Sequence, residues 1–149
     1  MKTLFCLFLI LSSWNLFAAG RLIDELGQAI GSAEHERFEK LLPRVKDVNE
    51  TLNEIGETPL TLAALNHETG MIEALLKRGA KINVQTKNGY SALMFAALYA
   101  KPPDFSKAIA TVKILLRAGA DKTLKNADGD NAYSLALVHK ATPVADLLK

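Results

Sequence analysis

Cysteine is almost missing from this sequence: one in 149 residues, Cys6, and it lies in an apolar run at the very start together with the one tryptophan, Trp14. Beyond Gly20 there is no thiol at all, which excludes a disulfide framework, a thiol nucleophile, a haem-attachment pair and a cysteine zinc site. A dominant charge is missing too. Eighteen basic against 16 acidic side chains leave a formal charge of +2, with no Lys/Arg cluster, so the chain carries no electrostatic footprint for nucleic acid or an anionic membrane. There is no H-E-x-x-H, no Gly-x-Ser-x-Gly and no glycine-rich phosphate loop. Long apolar runs are confined to the segment before Arg21. What is present is one domain's worth of chain with 49% apolar residues, enough for a core and against intrinsic disorder.

The segment from Met1 to Gly20 reads as Met1-Lys2, an apolar stretch from Leu4 to Leu11, a polar break at Ser12-Ser13 and a small-residue exit at Ala18-Ala19-Gly20. These are the three parts of a secretory signal peptide, with cleavage expected near Ala19 or Gly20. The competing reading is an uncleaved membrane anchor, although the unbroken apolar run is shorter than the roughly 20 residues a spanning helix needs. Cleavage after Gly20 leaves 17 basic and 16 acidic side chains and removes the cysteine. The remaining chain is expected in the periplasm or outside the cell, free of the membrane.

The body of the chain repeats. Met71-Ile72-Glu73-Ala74-Leu75-Leu76-Lys77-Arg78-Gly79-Ala80-Lys81 superposes on Thr111-Val112-Lys113-Ile114-Leu115-Leu116-Arg117-Ala118-Gly119-Ala120-Asp121. Upstream of each, Gly56-Glu57-Thr58-Pro59-Leu60-Thr61-Leu62-Ala63-Ala64 matches Gly89-Tyr90-Ser91-Ala92-Leu93-Met94-Phe95-Ala96-Ala97. The step from Gly56 to Gly89 is one period, and the step from Gly89 to Gly129 is the same period with an insertion running from Ala100 to Ser106. On these residues the sequence resembles the ankyrin repeat family, whose unit is about 33 residues long and carries a Thr-Pro-Leu-His-x-Ala signature. The resemblance implies an all-α solenoid of about four helix-turn-helix units joined by β-hairpin-like loops, covering residues 21–149 in units near 22–50, 51–83, 84–123 and 124–149. The signature histidine is replaced by Thr61, Met94 and Ser134, so the hydrogen bonds that it makes in the family must be absent or replaced.

Elementary physics leads to the same helices. Thr58 before Pro59 is a hydroxyl N-cap followed by proline at the first helical position. Leu60, Ala63 and Ala64 share one helical face, and the alanines let a neighbour approach closely. A second helix from about Thr69 to Arg78 buries Ile72, Leu75 and Leu76 and ends at Gly79, which can adopt a left-handed conformation. Asn88-Gly89 and Asp128-Gly129 are turn dipeptides. The first and last units act as caps. Unit one turns Leu26, Ala29, Ile30, Phe38, Leu41 and Leu42 inward, while unit four has Tyr133 where leucine is usual, a Thr142-Pro143 helix start, and Val144, Leu147 and Leu148 facing inward. The insertion, Ala100 to Ser106, contains Pro102 and Pro103 and is expected as an enlarged loop between two helices. Within it Phe105 either anchors the loop or stands exposed as a contact residue.

Candidate chemistry is sparse. His35 and Glu39 stand four apart and are expected as a solvated helical pair. Gly27-x-x-x-Gly31 is expected to serve close helix packing, and Glu54 and Glu57 to stand exposed at a hairpin tip. Asn49-Glu50-Thr51 matches the N-glycosylation acceptor. The expectation is therefore a monomeric, non-enzymatic module, without metal or cofactor, that binds an exported protein as an adaptor, inhibitor or accessory factor. The resemblance places the contacts on hairpin tips and the groove side of the inner helices: Ile55, Glu57, Leu65 and Asn66, then Lys87, Asn88, Tyr90, Leu98 and Tyr99, then Asp128 and His139. Leu65 and Leu98 could instead simply pack between helices. Two other readings stand beside this one: a hydrolase-type enzyme using Asp104 and His139 near the insertion, and a membrane-tethered scaffold if the signal is retained.

Overall fold

Three inner helices start on a side chain that caps them. In the computed structural model, which describes residues 22–100 and 105–149, the backbone N–H of Thr61 donates to the Thr58 hydroxyl, that of Met94 to the Ser91 hydroxyl, and that of Ser134 to the Asn131 amide oxygen. Pro59 follows its cap at the first helical position, as the sequence predicts. These caps open α3 (Pro59–Leu65), α5 (Ala92–Leu98) and α7 (Ala132–Val138), each 7 residues long. The helix over residues 22–31 is their counterpart in the first unit and is called α1. Each inner helix is followed by an outer one: α2 (His35–Leu41), which tightens into a 3-10 turn over Leu42–Arg44, then α4 (Thr69–Lys77), α6 (Ser106–Arg117) and α8 (Thr142–Leu148). Inner packs on inner (α3 on α5, α5 on α7), outer on outer (α4 on α6, α6 on α8), and α4, α6 and α8 each pack on the inner helix before them. This is an all-α helix-turn-helix solenoid.

The core is a continuous strip. It runs from Leu26, Ala29, Ile30 and Phe38 through Leu60, Ala63, Ala64, Ile72 and Leu75 to Leu93, Ala96, Ala97, Val112, Leu115, Ala136, Val144 and Leu148. Paired alanines sit in α3 and α5, and Ala63, Ala64, Ala96 and Ala97 are all fully buried. Their small side chains allow the close helix approach that a 7-residue helix needs to bury enough surface.

Between units the chain forms tips rather than true hairpins: among the described residues the one β-bridge joins Gln85 to Ser91. A side-chain oxygen organises each tip. Asn53 Oδ1 accepts from the Glu57 N–H, Thr86 Oγ1 from the Tyr90 N–H, and Asn126 Oδ1 from the N–H groups of Asp128 and Asp130. Neighbouring tips are joined by backbone bonds, from Lys87 N–H to the Ile55 carbonyl (2.9 Å) and from Ala127 N–H to the Asn88 carbonyl (2.9 Å). At the far end of each connection an asparagine clasps the next unit. Asn49 donates to the Gly79 carbonyl and accepts from the Lys81 N–H, and Asn83 repeats this with Gly119 and Asp121. The side-chain amide of Asn49, the acceptor of the glycosylation motif, bonds to Asp47 and Gly79 in the fold.

Several expectations change. The insertion is not all loop: Ala100 is buried, Phe105 packs against the core, and Ser106 already belongs to α6, which has 12 residues where α4 has 9. Part of the insertion therefore lengthens the outer helix at its start. Phe105 anchors this segment. Helix α8 does start at Thr142-Pro143 as expected, with Ala141 at the cap position and no side-chain cap bond. Of the two glycines in α1, Gly27 does serve packing, since a Cβ there would stand 2.9 Å from Leu52 Cδ2, whereas Gly31 has no neighbour within 4 Å. Outer helix α4 stops at Lys77, with Arg78 as its C-cap. The signal segment lies outside the described residues. Among those residues no helix is long and apolar enough to cross a membrane.

Candidate partner-binding surface

The tips and the inner helices make one face, and its residues are placed by the caps and tip bonds just described. At the first tip Ile55 is 47% exposed and Glu54 is exposed beside it. Glu57 is half-buried rather than exposed as expected, because Asn53 Nδ2 donates to its carboxylate at 2.5 Å while its own N–H donates back to Asn53 Oδ1. Leu65 and Asn66, at the end of α3, are half-buried.

At the second tip Lys87 and Asn88 are exposed, held by the bond to Ile55 on one side and to Ala127 on the other. Tyr90 is half-buried and stacks on Phe95, with ring centroids 5.4 Å apart. Its aromatic face is therefore committed to packing. Leu98 packs against the core, so for it the helix-packing reading holds. Tyr99, one residue on, is 40% exposed at the end of α5. At the third tip Asp128 is exposed, and His139 is exposed as the C-cap of α7. Of the contact residues expected from the sequence, Ile55 and Tyr99 are thus the large apolar groups exposed to solvent.

The structure adds residues the sequence does not single out. Leu137 and Val138, at the end of α7, are 46% and 69% exposed. Leu137 stands where the earlier units have the buried Ala64 and Ala97, against which the following inner helix packs. A groove of about 430 Å³ opens between α1 and α3, lined by Asp24, Gly27, Gln28, Leu52, Asn53, Glu57 and Leu62. Leu52 comes from the tip and folds onto α1, a long-range placement that no local periodicity announces.

Two of the three histidines make side-chain contacts within the fold. His35 pairs with Glu68 of the next unit, Nε2 to Oε2 at 3.3 Å, and not with Glu39. His67 donates from Nε2 to the Tyr99 carbonyl at 3.2 Å. A carbonyl can only accept, so Nε2 carries the proton and Nδ1, which is buried without a hydrogen-bond partner, is the bare nitrogen. Burial, with the Lys107 charge, pushes the His67 pKa below the usual imidazole value, against the opposing pull of the Tyr99 bond and Glu68. Asp104, the other half of the enzyme reading, lies outside the described residues. Among the described residues no group of three or more His, Cys, Asp and Glu could hold a metal ion.

The replaced signature histidine has a visible substitute in two units. The Thr61 hydroxyl accepts from the Thr58 N–H at 2.8 Å and donates to the Thr58 carbonyl at 2.9 Å, and Ser134 accepts from the Asn131 N–H and donates to the Asn131 carbonyl. Met94 can do neither, and its helix keeps a one-way cap.

Comparison with known proteins agrees with this geometry. A family model described as ankyrin repeats (3 copies) matches residues 26–126. The chain is 31% identical over 127 residues to the B-cell lymphoma 3 protein homolog of Mus musculus, a match spanning 85% of this chain and 26% of that protein. It is 35% identical over 88 residues to ankyrin repeat and SAM domain-containing protein 6 of Rattus norvegicus, covering 58% of this chain and 9% of that one. It is 37% identical over 95 residues to SH3 and multiple ankyrin repeat domains protein 2 of Homo sapiens, covering 63% and 5%. The chain thus spans about a quarter or less of the length of these relatives. Repeats of this kind are general protein–protein interaction modules. With the helix pairs, the capped inner helices and the model match all in register, the chain belongs to the ankyrin repeat family.

Proposed function

We propose that this protein is a non-enzymatic, monomeric binding module that captures an exported protein partner through its tips and inner helices, as an adaptor, inhibitor or accessory factor. The observation that carries this reading is the division of labour along the stack. Backbone bonds and the Asn49 and Asn83 clasps hold the units together, while Ile55, Lys87 and Asn88 on the tips and Tyr99 at the end of α5 are exposed to solvent. Interface cores favour aromatic and aliphatic groups of this kind. Export is supported by Lys2, the apolar stretch from Leu4 to Leu11 and the small exit residues Ala18-Ala19-Gly20.

Two measurements test it. Ile55→Glu with Tyr99→Ala should abolish capture of the partner from the native compartment with the helical circular dichroism intact; both residues are exposed, whereas Tyr90 would disturb packing if removed. Capture unchanged by the pair refutes the face. For export, a purified protein that starts at Gly20 or Arg21 supports cleavage, and one that keeps Met1 refutes it in favour of the tethered scaffold.

A further inference from the structure

We infer that the groove between α1 and α3 receives a lysine or arginine side chain of the partner. This rests on the reading of the tip and inner-helix face as the contact surface, and it names the chemistry which that face recognises.

The floor of the groove is apolar and its rim is acidic. Leu52 lies against α1 because Gly27 has no side chain: a Cβ there would stand 2.9 Å from Leu52 Cδ2. Leu52, Leu62 and Gly27 line the bottom. Around the rim stand Asp24 and Gln28, four apart on α1, and Asn53 and Glu57 from the first tip. Asn53 Nδ2 donates to Glu57 Oε2 at 2.5 Å, which fixes the carboxylate at the rim and leaves Oε1 outside that bond. A long cationic side chain suits both halves, its methylene stem against leucine and its head between carboxylates. Charge complementarity points the same way. The acids Asp24, Glu54 and Glu57 gather at this end of the face, whereas the second tip carries Lys87 and no acid. An acidic partner group placed here would face like charge, and an aliphatic one would leave the carboxylates desolvated without a partner.

The test is a random-peptide display library panned on the full chain, with selected peptides then measured singly. Peptides that occupy this face should lose binding to the Ile55→Glu variant and should share a Lys or Arg at one position. Because the groove is open to water, each carboxylate is worth about fivefold in Kd. The Asp24→Asn, Glu57→Gln double variant, with unchanged circular dichroism, should therefore bind about twenty-five-fold more weakly. Replacing the shared basic residue of the peptide by glutamate, on the unaltered protein, should weaken binding at least as much. Face-dependent peptides without a shared basic position, or with equal affinity for the double variant, overturn the basic-side-chain proposal and leave the face standing. If no selected peptide is sensitive to Ile55→Glu, both fall.

Discussion

Alanine at Gly89 tests how the units are spaced, because the same substitution at two equivalent glycines supplies its controls. Gly56, Gly89 and Gly129 share one backbone conformation, with φ of +84°, +79° and +86°. Giving any of them a Cβ incurs the left-handed penalty of roughly 1–2 kcal/mol. What differs is the space. At Gly129 an added Cβ meets nothing within 4 Å, and at Gly56 its nearest neighbour is Lys87 N at 3.6 Å, ordinary contact. At Gly89 it would stand 2.8 Å from Asn126 Cα and 3.1 Å from Ala127 N, which are backbone atoms of the next tip and cannot rotate away. To make room the tips must part, which strains the Ala127 N–H bond to the Asn88 carbonyl and adds an overpacking cost of about 1–3 kcal/mol. Gly129→Ala and Gly56→Ala should then each cost about 1–2 kcal/mol, and Gly89→Ala about 2–5 kcal/mol. Urea unfolding followed by circular dichroism measures all three. Equal losses at the three sites would refute the close approach and leave only the backbone penalty.

Ala33, His67 and Lys140 hold the left-handed position between the helices of their units with φ of 55°, 57° and 56°. Lys140→Gly should raise stability by about 1 kcal/mol in the same denaturant assay, and a loss would show that the side chain compensates elsewhere. Asn83→Ala removes the bonds to Gly119 and Asp121 together and should cost about 1–3 kcal/mol; a cost near zero would mean that water replaces the clasp. Thr61→Ala deletes one side of the capping box and should cost about 1 kcal/mol, more than Met94→Ala loses through capping, because Met94 returns no bond. The His67 pKa lies below the usual 6.5 in the folded chain, so the unfolded chain binds its proton first. Stability from this group is complete above pH 6.5 and falls as pH drops through the folded value. His67→Gln should flatten that part of the stability profile below pH 6.5, and an unchanged slope would assign it to another group.

Local rules make most of the helices legible. A hydroxyl before proline, a leucine and two alanines at helical spacing and a glycine stop are all contained in a single repeat, so Thr58, Ala63, Ala64 and Gly79 can be placed without neighbours. The tip organisers leave a trace as well: Asn53, Thr86 and Asn126 each stand three places before the tip glycine, always with a side-chain oxygen to offer. What stays hidden depends on contact between units. The partner of His35 lies one full repeat away at Glu68, out of reach of any helical spacing rule, and the floor of the groove needs Leu52 to cross from a tip to α1. Exposure at Leu137 escapes composition altogether, since the same place in the preceding units holds buried alanine. The insertion resists a local reading because its two prolines forbid helix only where they stand, and Ser106 is already past them.

The clasps made by Asn49 and Asn83, and the rail of backbone bonds between tips, draw nothing from the side chains that point outward. Substitutions at Glu54, Ile55, Lys87, Asn88 and Asp128 can therefore accumulate with little effect on the pitch of the stack. Under the proposed function, selection on such a molecule acts on two nearly separate alphabets, one that keeps the rungs evenly spaced and one that spells the partner. A change of partner would require rewriting only the second.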